Sequence, residues 1–326
     1  MKLALFSSQR YEQHAFSEHC PDNVEVHFFD AQLNELTASL AQGCDSVCVF
    51  VNDVVNKQVL DKLNELGIKL LLLRCAGFNN VDLDHAARLG IEVARVPAYS
   101  PEAVAEHCLA LILTLSRKTH KAYNRVREDN FDLNGLLGFN LHGKTVGLIG
   151  CGKIGLALCR ILNGFGAKVL VVDPAKPEGD FTLVDKATLL AQSDIISLHC
   201  PLTEQTHHII NSDALRHMKR GAMLINTGRG ALLDTKACIN ALKSGQLGYL
   251  GLDVYEQESE LFFKDRSEEI LQDDVFARLL TFQNVLITGH QGFFTEEALQ
   301  QIVQTTFDNL LQYAKGEALT NRVCAP

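Results

Sequence analysis

The chain has 326 residues, 47% of them hydrophobic, which is more than one core usually organises, so two domains are expected. Its formal net charge of −9 argues against nucleic acid or an acidic membrane surface as a partner, since either would need clustered Lys and Arg. Ten cysteines without a Cys-x-x-Cys pair suit reduced thiols in a cytoplasmic protein, and twelve histidines without ligand spacing predict no metal.

The first apolar run, residues 3–6, is too short for a signal-peptide core and reads as a strand; no later run approaches a membrane span. Further β-rich runs at 24–29, 46–51, 69–75 and 92–96 alternate with helical patterns, which is the α/β signature. Ser100, Pro101 and Glu102 then announce a long helix reaching Thr119, with a cap, a proline at the first helical position and early acidic residues. It reads as the crossover between domains, and its apolar stripe suits either self-association or burial within the subunit. A second series at 145–149, 168–173, 195–199, 223–226, 250–254 and 285–288 is almost continuously apolar, as buried parallel strands are. The tail after Thr295 reads as a helix returning to the first domain. The expected architecture is α/β with two Rossmann-like domains. Residues 1–99 and 296–326 form a discontinuous, flavodoxin-like substrate domain; residues 100–295 form a doubly wound parallel sheet. A charged insertion at 256–274 contains Phe262 and Phe263.

Within the second series, Gly150-Cys151-Gly152-Lys153-Ile154-Gly155 follows a strand and opens a helix. Glycines at this spacing allow a tight turn, close approach of a pyrophosphate and close helix packing, while the helix N-terminus attracts phosphate. The next apolar run ends in Asp173, about 20 residues on, where a ribose-binding acid is required. Pro174 follows it, not an Arg suited to a 2′-phosphate, so NAD is expected over NADP.

Just past the ends of the second-series strands stand Cys200-Pro201, Thr227-Gly228-Arg229, Asp253 and His290, and ligands of open α/β sheets bind in that crevice. Taken singly each has a bland reading: a surface cation, a turn former, a solvated acid at Glu258, a buried histidine. Together they match one chemistry. A 2-keto acid needs a planar cation for its carboxylate and a proton donor beside the hydride acceptor, and Arg and His supply these.

Five ordered stretches carry a stronger signal: Arg74-Cys75-Ala76-Gly77-Phe78-Asn79-Asn80-Val81-Asp82, Val96-Pro97-Ala98-Tyr99-Ser100-Pro101 running on to His107, Asn226-Thr227-Gly228-Arg229-Gly230, Leu252-Asp253-Val254-Tyr255-Glu256-Gln257-Glu258, and Gly289-His290-Gln291-Gly292-Phe293. With them the chain resembles the D-2-hydroxyacid dehydrogenase family over almost its whole length, most closely the fermentative D-lactate branch. The resemblance implies that Arg229 holds the substrate carboxylate and carbonyl, His290 is the acid/base and Glu258 supports His290. It implies backbone donors at Ala76 and Gly77 and pocket closure by Tyr99 and Phe293, for which core packing is the competing reading. It also implies that Lys153 and Ile154 lie against the pyrophosphate, that Asp173 binds the ribose, and that Cys200, Pro201 and Thr206 line the cofactor. Thr227, Gly228, Arg229 and Asp253 continue that surface. Gly228 and Gly292 depart from the usual Ser or Ala and Ala, which would loosen the pocket. A homo-oligomer, dimer or tetramer, is implied, acting on a small-molecule acid. The alternatives are a related acid (hydroxypyruvate, glyoxylate, a branched 2-keto acid) or a non-enzymatic NAD-sensing protein.

Overall fold

Parallel pairing organises all the strands of the computed structural model, which describes residues 1–258, 261–263 and 265–324. In chain order the first elements are β1 (Lys2–Leu5), α1 (Arg10–Glu18), β2 (Glu25–Phe28), β3 (Ser46–Val49), α2 (Lys57–Glu65), β4 (Leu70–Leu73), α3 (Leu83–Arg88) and β5 (Glu92–Arg95). Then come α4 (Pro101–Arg117), α5 (Thr119–Arg127), β6 (Thr145–Ile149), α6 (Lys153–Gly164), β7 (Lys168–Val172), β8 (Thr182–Leu183), α7 (Lys186–Gln192), β9 (Ile195–Leu198), α8 (Ser212–His217), β10 (Ala222–Asn226), α9 (Thr235–Ser244), β11 (Leu247–Leu252), α10 (Asp274–Leu280) and β12 (Val285–Ile287). The last helix is α11 (Glu296–Ala314). Helix starts are fixed locally: Asn56, Asp82, Asp185, Asn211, Asp234, Asp273 and Thr295 each accept a first-turn N–H.

The chain divides into two compact units, Met1–Ser100 with Phe294–Pro326, and Pro101–Phe293. In the first, five strands run in the order β2-β1-β3-β4-β5, the flavodoxin-like arrangement. One face of this sheet packs Leu3, Leu5, Leu70 and Leu72 against Phe16 of α1 and Val303, Phe307 and Leu310 of α11, so the C-terminal helix completes the core that the N-terminal strands begin.

In the second unit, seven strands run in the order β12-β11-β10-β9-β6-β7-β8, a doubly wound sheet. Alternation along β10 sends Met223 and Ile225 to the α4–α6 face and Ala222 and Leu224 to the α8–α9 face. The apolar stripe of α4 is buried here: Ala105, Cys108, Leu111, Ile112 and Leu115 pack with Val146, Leu148 and Leu158. The helix expected to reach Thr119 ends at Arg117, because Lys118 takes a left-handed conformation (φ 53°) and α5 starts afresh. The loop backbone at Gly138 closes onto the Ser116 carbonyl there. β8 was not expected; it is a two-residue, exposed edge strand, too short for a periodic signal. Among the described residues no helix is long and apolar enough to cross a membrane.

The largest fully buried side chain is Arg74, at the root of the turn after β4. Its Nε and Nη2 donate to the Glu12 carboxylate at 2.6 and 3.2 Å, and Nη2 also donates to the Ser7 carbonyl. Burial opposes the charge, but Glu12, Cys48 and Asp53 together outweigh it and hold the guanidinium pKa above its ordinary value. Removing the carboxylate takes away the hydrogen-bonded counter-ion of that buried charge. Glu12→Ala is therefore expected to cost roughly 3–5 kcal/mol in urea unfolding; a loss below about 1 kcal/mol would show that the pair carries no such burden.

Candidate active site

Because the strands of the second unit are parallel, their carboxyl ends share one edge, and the glycine-rich turn, Cys200, Thr227, Arg229, Asp253 and His290 all follow those ends. Gly150 has φ +90°, and a Cβ there would meet the Cys200 backbone at 2.4 Å; at Gly155 it would lie 2.8 Å from the Gly150 carbonyl. The turn is thus closed onto β9 and α6 and tolerates nothing larger than glycine at these points. Gly152 caps α6 with no side-chain acceptor, a Cβ there would meet nothing within 4 Å, and Lys153 beside it is exposed, so the helix start is open.

Asp173, just past β7, accepts the Cys151 N–H at 2.7 Å and the Ala175 N–H at 2.8 Å, which ties it to the turn. Each carboxylate oxygen keeps acceptor capacity for a ribose hydroxyl. Thr206 donates its hydroxyl to the Pro201 carbonyl (2.6 Å), folding the segment after β9 on itself. Thr227 is buried with its Oγ1 unpartnered. An open helix N-terminus, an anchored acid and an orphaned hydroxyl on one edge fit a dinucleotide.

Asn226, fully buried at the end of β10, shapes the next loop: its Oδ1 accepts the Gly228 N–H at 3.1 Å and its Nδ2 donates to the Arg229 carbonyl at 2.9 Å. The Arg229 guanidinium is half-exposed and donates to the Gly228 carbonyl at 2.8 Å.

Asp253 has a role that its sequence position did not indicate. It is 1% exposed, and its Oδ1 accepts the Thr288 hydroxyl (2.5 Å) and the Gln291 N–H (2.9 Å) while Oδ2 accepts the Gly292 N–H (2.7 Å). His107 of α4 brings Nε2 to 3.2 Å from Oδ1. Burial opposes this charge, but His107, Thr288 and the Gln291 N–H together outweigh it and hold the carboxyl below its ordinary range. The Asp253 carbonyl also accepts the His290 N–H at 2.7 Å. One residue therefore clamps three consecutive N–H groups and holds His290 at φ 55°, a conformation that costs a non-glycine residue energy and persists only when its surroundings fix it.

The His290 imidazole then meets Glu258: Nδ1 lies 2.8 Å from Oε1, with the two side chains 14% and 18% exposed. Glu258 is fixed in turn by accepting the Tyr255 N–H (3.1 Å). With Nδ1 engaged, Nε2 is the nitrogen left to exchange a proton. At the two departures from the family pattern an added Cβ would have close neighbours, 2.9 Å from Asp253 Oδ2 at Gly292 and 3.2 Å from Leu232 at Gly228. Phe293 is buried (8%) and Tyr99, which follows β5 in the other unit, is half-buried. Ala76 and Gly77 follow β4.

The model for the NAD-binding domain of the D-isomer specific 2-hydroxyacid dehydrogenases matches residues 109–292. The chain is 56% identical to 2-hydroxyacid dehydrogenase A of Aspergillus oryzae, covering 98% of this chain and 94% of the relative. It is 51% identical to the D-lactate dehydrogenase of Escherichia coli, over 99% and 100%. The apo-structure of the E. coli D-lactate dehydrogenase superposes with a TM-score of 0.90 at 49% identity, over 99% of this chain and 100% of that one.

Two outcomes follow from the site. Asp173→Ala should weaken NADH binding and narrow the preference over NADPH, because it removes both a ribose acceptor and the charge that repels a 2′-phosphate; fluorescence titrations with both nucleotides check this, and an unchanged preference would contradict it. His199, beside Cys200, shares a hydrogen bond with Ser197 (2.8 Å), and burial pushes it down to about 4. The unfolded chain takes up this proton near its ordinary value and the folded chain does not until pH 4. Stability should therefore fall as pH drops from about 6.5 toward 4, and denaturation of His199→Asn across that window should show a flatter dependence.

Proposed function

The chain belongs to the D-2-hydroxyacid dehydrogenase family, and from that membership we propose that it is an NAD-dependent D-lactate dehydrogenase, reducing pyruvate reversibly to D-lactate. The observation that carries the catalytic reading is the His290–Glu258 pair, 2.8 Å apart at the carboxyl edge of an NAD-binding sheet. NAD held at that edge would supply or accept the hydride. Arg229 binds the substrate carboxylate and polarises the carbonyl, using donors beyond the one it spends on its own loop. His290 Nε2 protonates the oxygen as the carbonyl is reduced and takes the proton back in oxidation. Glu258 holds the ring through Nδ1, while Asp253 fixes the backbone beneath it. By family resemblance Ala76 and Gly77 donate backbone N–H groups to the carboxylate and Tyr99 and Phe293 bound the substrate. Lys153 and Ile154 flank the pyrophosphate, Asp173 holds the ribose, and Cys200, Pro201, Thr206, Thr227 and Gly228 line the cofactor. The same reading makes the enzyme a cytoplasmic homo-oligomer.

NADH oxidation measured with pyruvate, hydroxypyruvate, glyoxylate and 2-ketoisocaproate tests the substrate, with pyruvate expected to lead; no turnover on any would favour a sensor. His290→Gln should keep NADH binding and slow pyruvate reduction by roughly 10²–10⁴-fold. Glu258→Gln should lower the turnover of pyruvate while leaving NADH binding unchanged, since the ring loses the carboxylate that engages Nδ1, and Arg229→Gln should impair both KM and kcat. Near-normal turnover in His290→Gln would sink the acid/base assignment.

A further inference from the structure

After β4 the chain turns through Cys75, Ala76, Gly77 and Phe78, and Arg95 at the end of β5 lies in register with Leu73 at the start of that turn. The Arg95 main chain is fixed on both sides, its N–H donating to the Asn321 carbonyl (3.1 Å) and its carbonyl accepting from Asn309 Nδ2 (3.0 Å). Its side chain grips the turn at two points: Nη1 donates to the Ala76 carbonyl at 2.6 Å, and the guanidinium stands 5.0 Å from the centroid of the Phe78 ring.

The consequence lies in the peptide between Ala76 and Gly77. A planar trans peptide directs its C=O and N–H in opposite senses, and there is no cis bond among the described residues. Holding the Ala76 carbonyl on Arg95 therefore aims the Gly77 N–H away from the guanidinium. Glycine makes this peptide the softest of the turn, free to flip unless something outside it holds one orientation. Among the hydrogen bonds of the described residues neither the Ala76 nor the Gly77 N–H finds an acceptor, although both residues are half-buried. A cation on the carbonyl also polarises the peptide and strengthens its N–H as a donor.

We propose that Arg95 is a positioning residue for substrate binding: by gripping the Ala76 carbonyl and stacking on Phe78 it presents the Gly77 N–H to the substrate carboxylate. This rests on the carboxylate-binding role given to Ala76 and Gly77 above.

The test compares Arg95→Met and Arg95→Lys in the full chain, measuring pyruvate KM and kcat, the inhibition constant of the pyruvate isostere oxamate with NADH bound, and the dissociation constant of NADH alone. In Arg95→Met, KM and the oxamate constant should rise together by about tenfold, the loss expected for a donor to a charged group. The turnover number should stay within about threefold and NADH binding should not move. Arg95→Lys, which keeps a donor for the carbonyl but not the flat stack, should recover most of the loss; where Arg95→Met fails to fold, a rise of about threefold in Arg95→Lys against none decides the matter. Wild-type oxamate binding in the variants, alongside a clear loss in Arg229→Gln, would overturn the role of Arg95 and leave the active-site reading standing. Failure of oxamate to bind the unaltered enzyme with NADH would overturn both. An equal loss of NADH affinity would overturn it as well, because general loosening would then explain the defect.

Discussion

In a parallel sheet every strand leaves its hydrogen-bonded ladder at the same edge, and in the seven-stranded sheet that edge is where the chain sets Gly150, Cys200, Thr227, Asp253 and His290. Groups separated by more than a hundred residues are thus delivered together by topology, and the short segments past each strand need only local devices to aim them. Asn226 does this for the Arg229 loop with its two amide atoms. Asp253 does it for His290 with a buried carboxylate that has no acceptor capacity to waste on solvent.

The five-stranded sheet obeys the same rule with a different anchor. Arg74 emerges where β4 ends and is drawn inward to Glu12, beneath the turn that carries Ala76 and Gly77. A buried ion pair is weak evidence for stability, since an apolar pair of similar volume serves as well or better. Its value here is positional: it roots the turn from below while Arg95 holds it from the side.

Much of this was readable in the sequence because it rests on short-range pattern. The strands followed from apolar runs, the dinucleotide turn from glycines at fixed spacing ahead of Asp173, and the His290–Glu258 pair from motif resemblance combined with strand-end placement. What escaped was long-range or unpatterned. His107 closes the stretch that begins at Val96, yet nothing local shows that it reaches Asp253, 146 positions on. Strand-end placement put Asp253 at the crevice and the resemblance implied cofactor surface, whereas its bonds to the Gln291 and Gly292 N–H groups are not legible in the sequence. Lys118 carries no breaker signature; its left-handed turn appears only with the loop that crosses Ser116. The sequence marked the insertion as charged and Phe-containing without giving it a role; in the fold Phe262 and Phe276 pack together and Tyr255 donates to Asp273 (2.7 Å), so its apolar residues anchor α10 to the sheet. Ser259, Glu260 and Lys264 of that insertion lie outside the described residues.

The central claim is that the clamp from Asp253 and the carboxylate of Glu258 leave His290 Nε2 facing the reacting oxygen. A crystal structure with NADH and oxamate measures this directly, through the distance from Nε2 to the oxamate carbonyl oxygen. The account predicts about 2.6–3.2 Å, hydrogen-bond reach for a proton donor, with Glu258 still on Nδ1 and the Arg229 guanidinium on the carboxylate. Oxamate bound with its carbonyl turned away from His290, or a His290 ring released from Glu258, would contradict it.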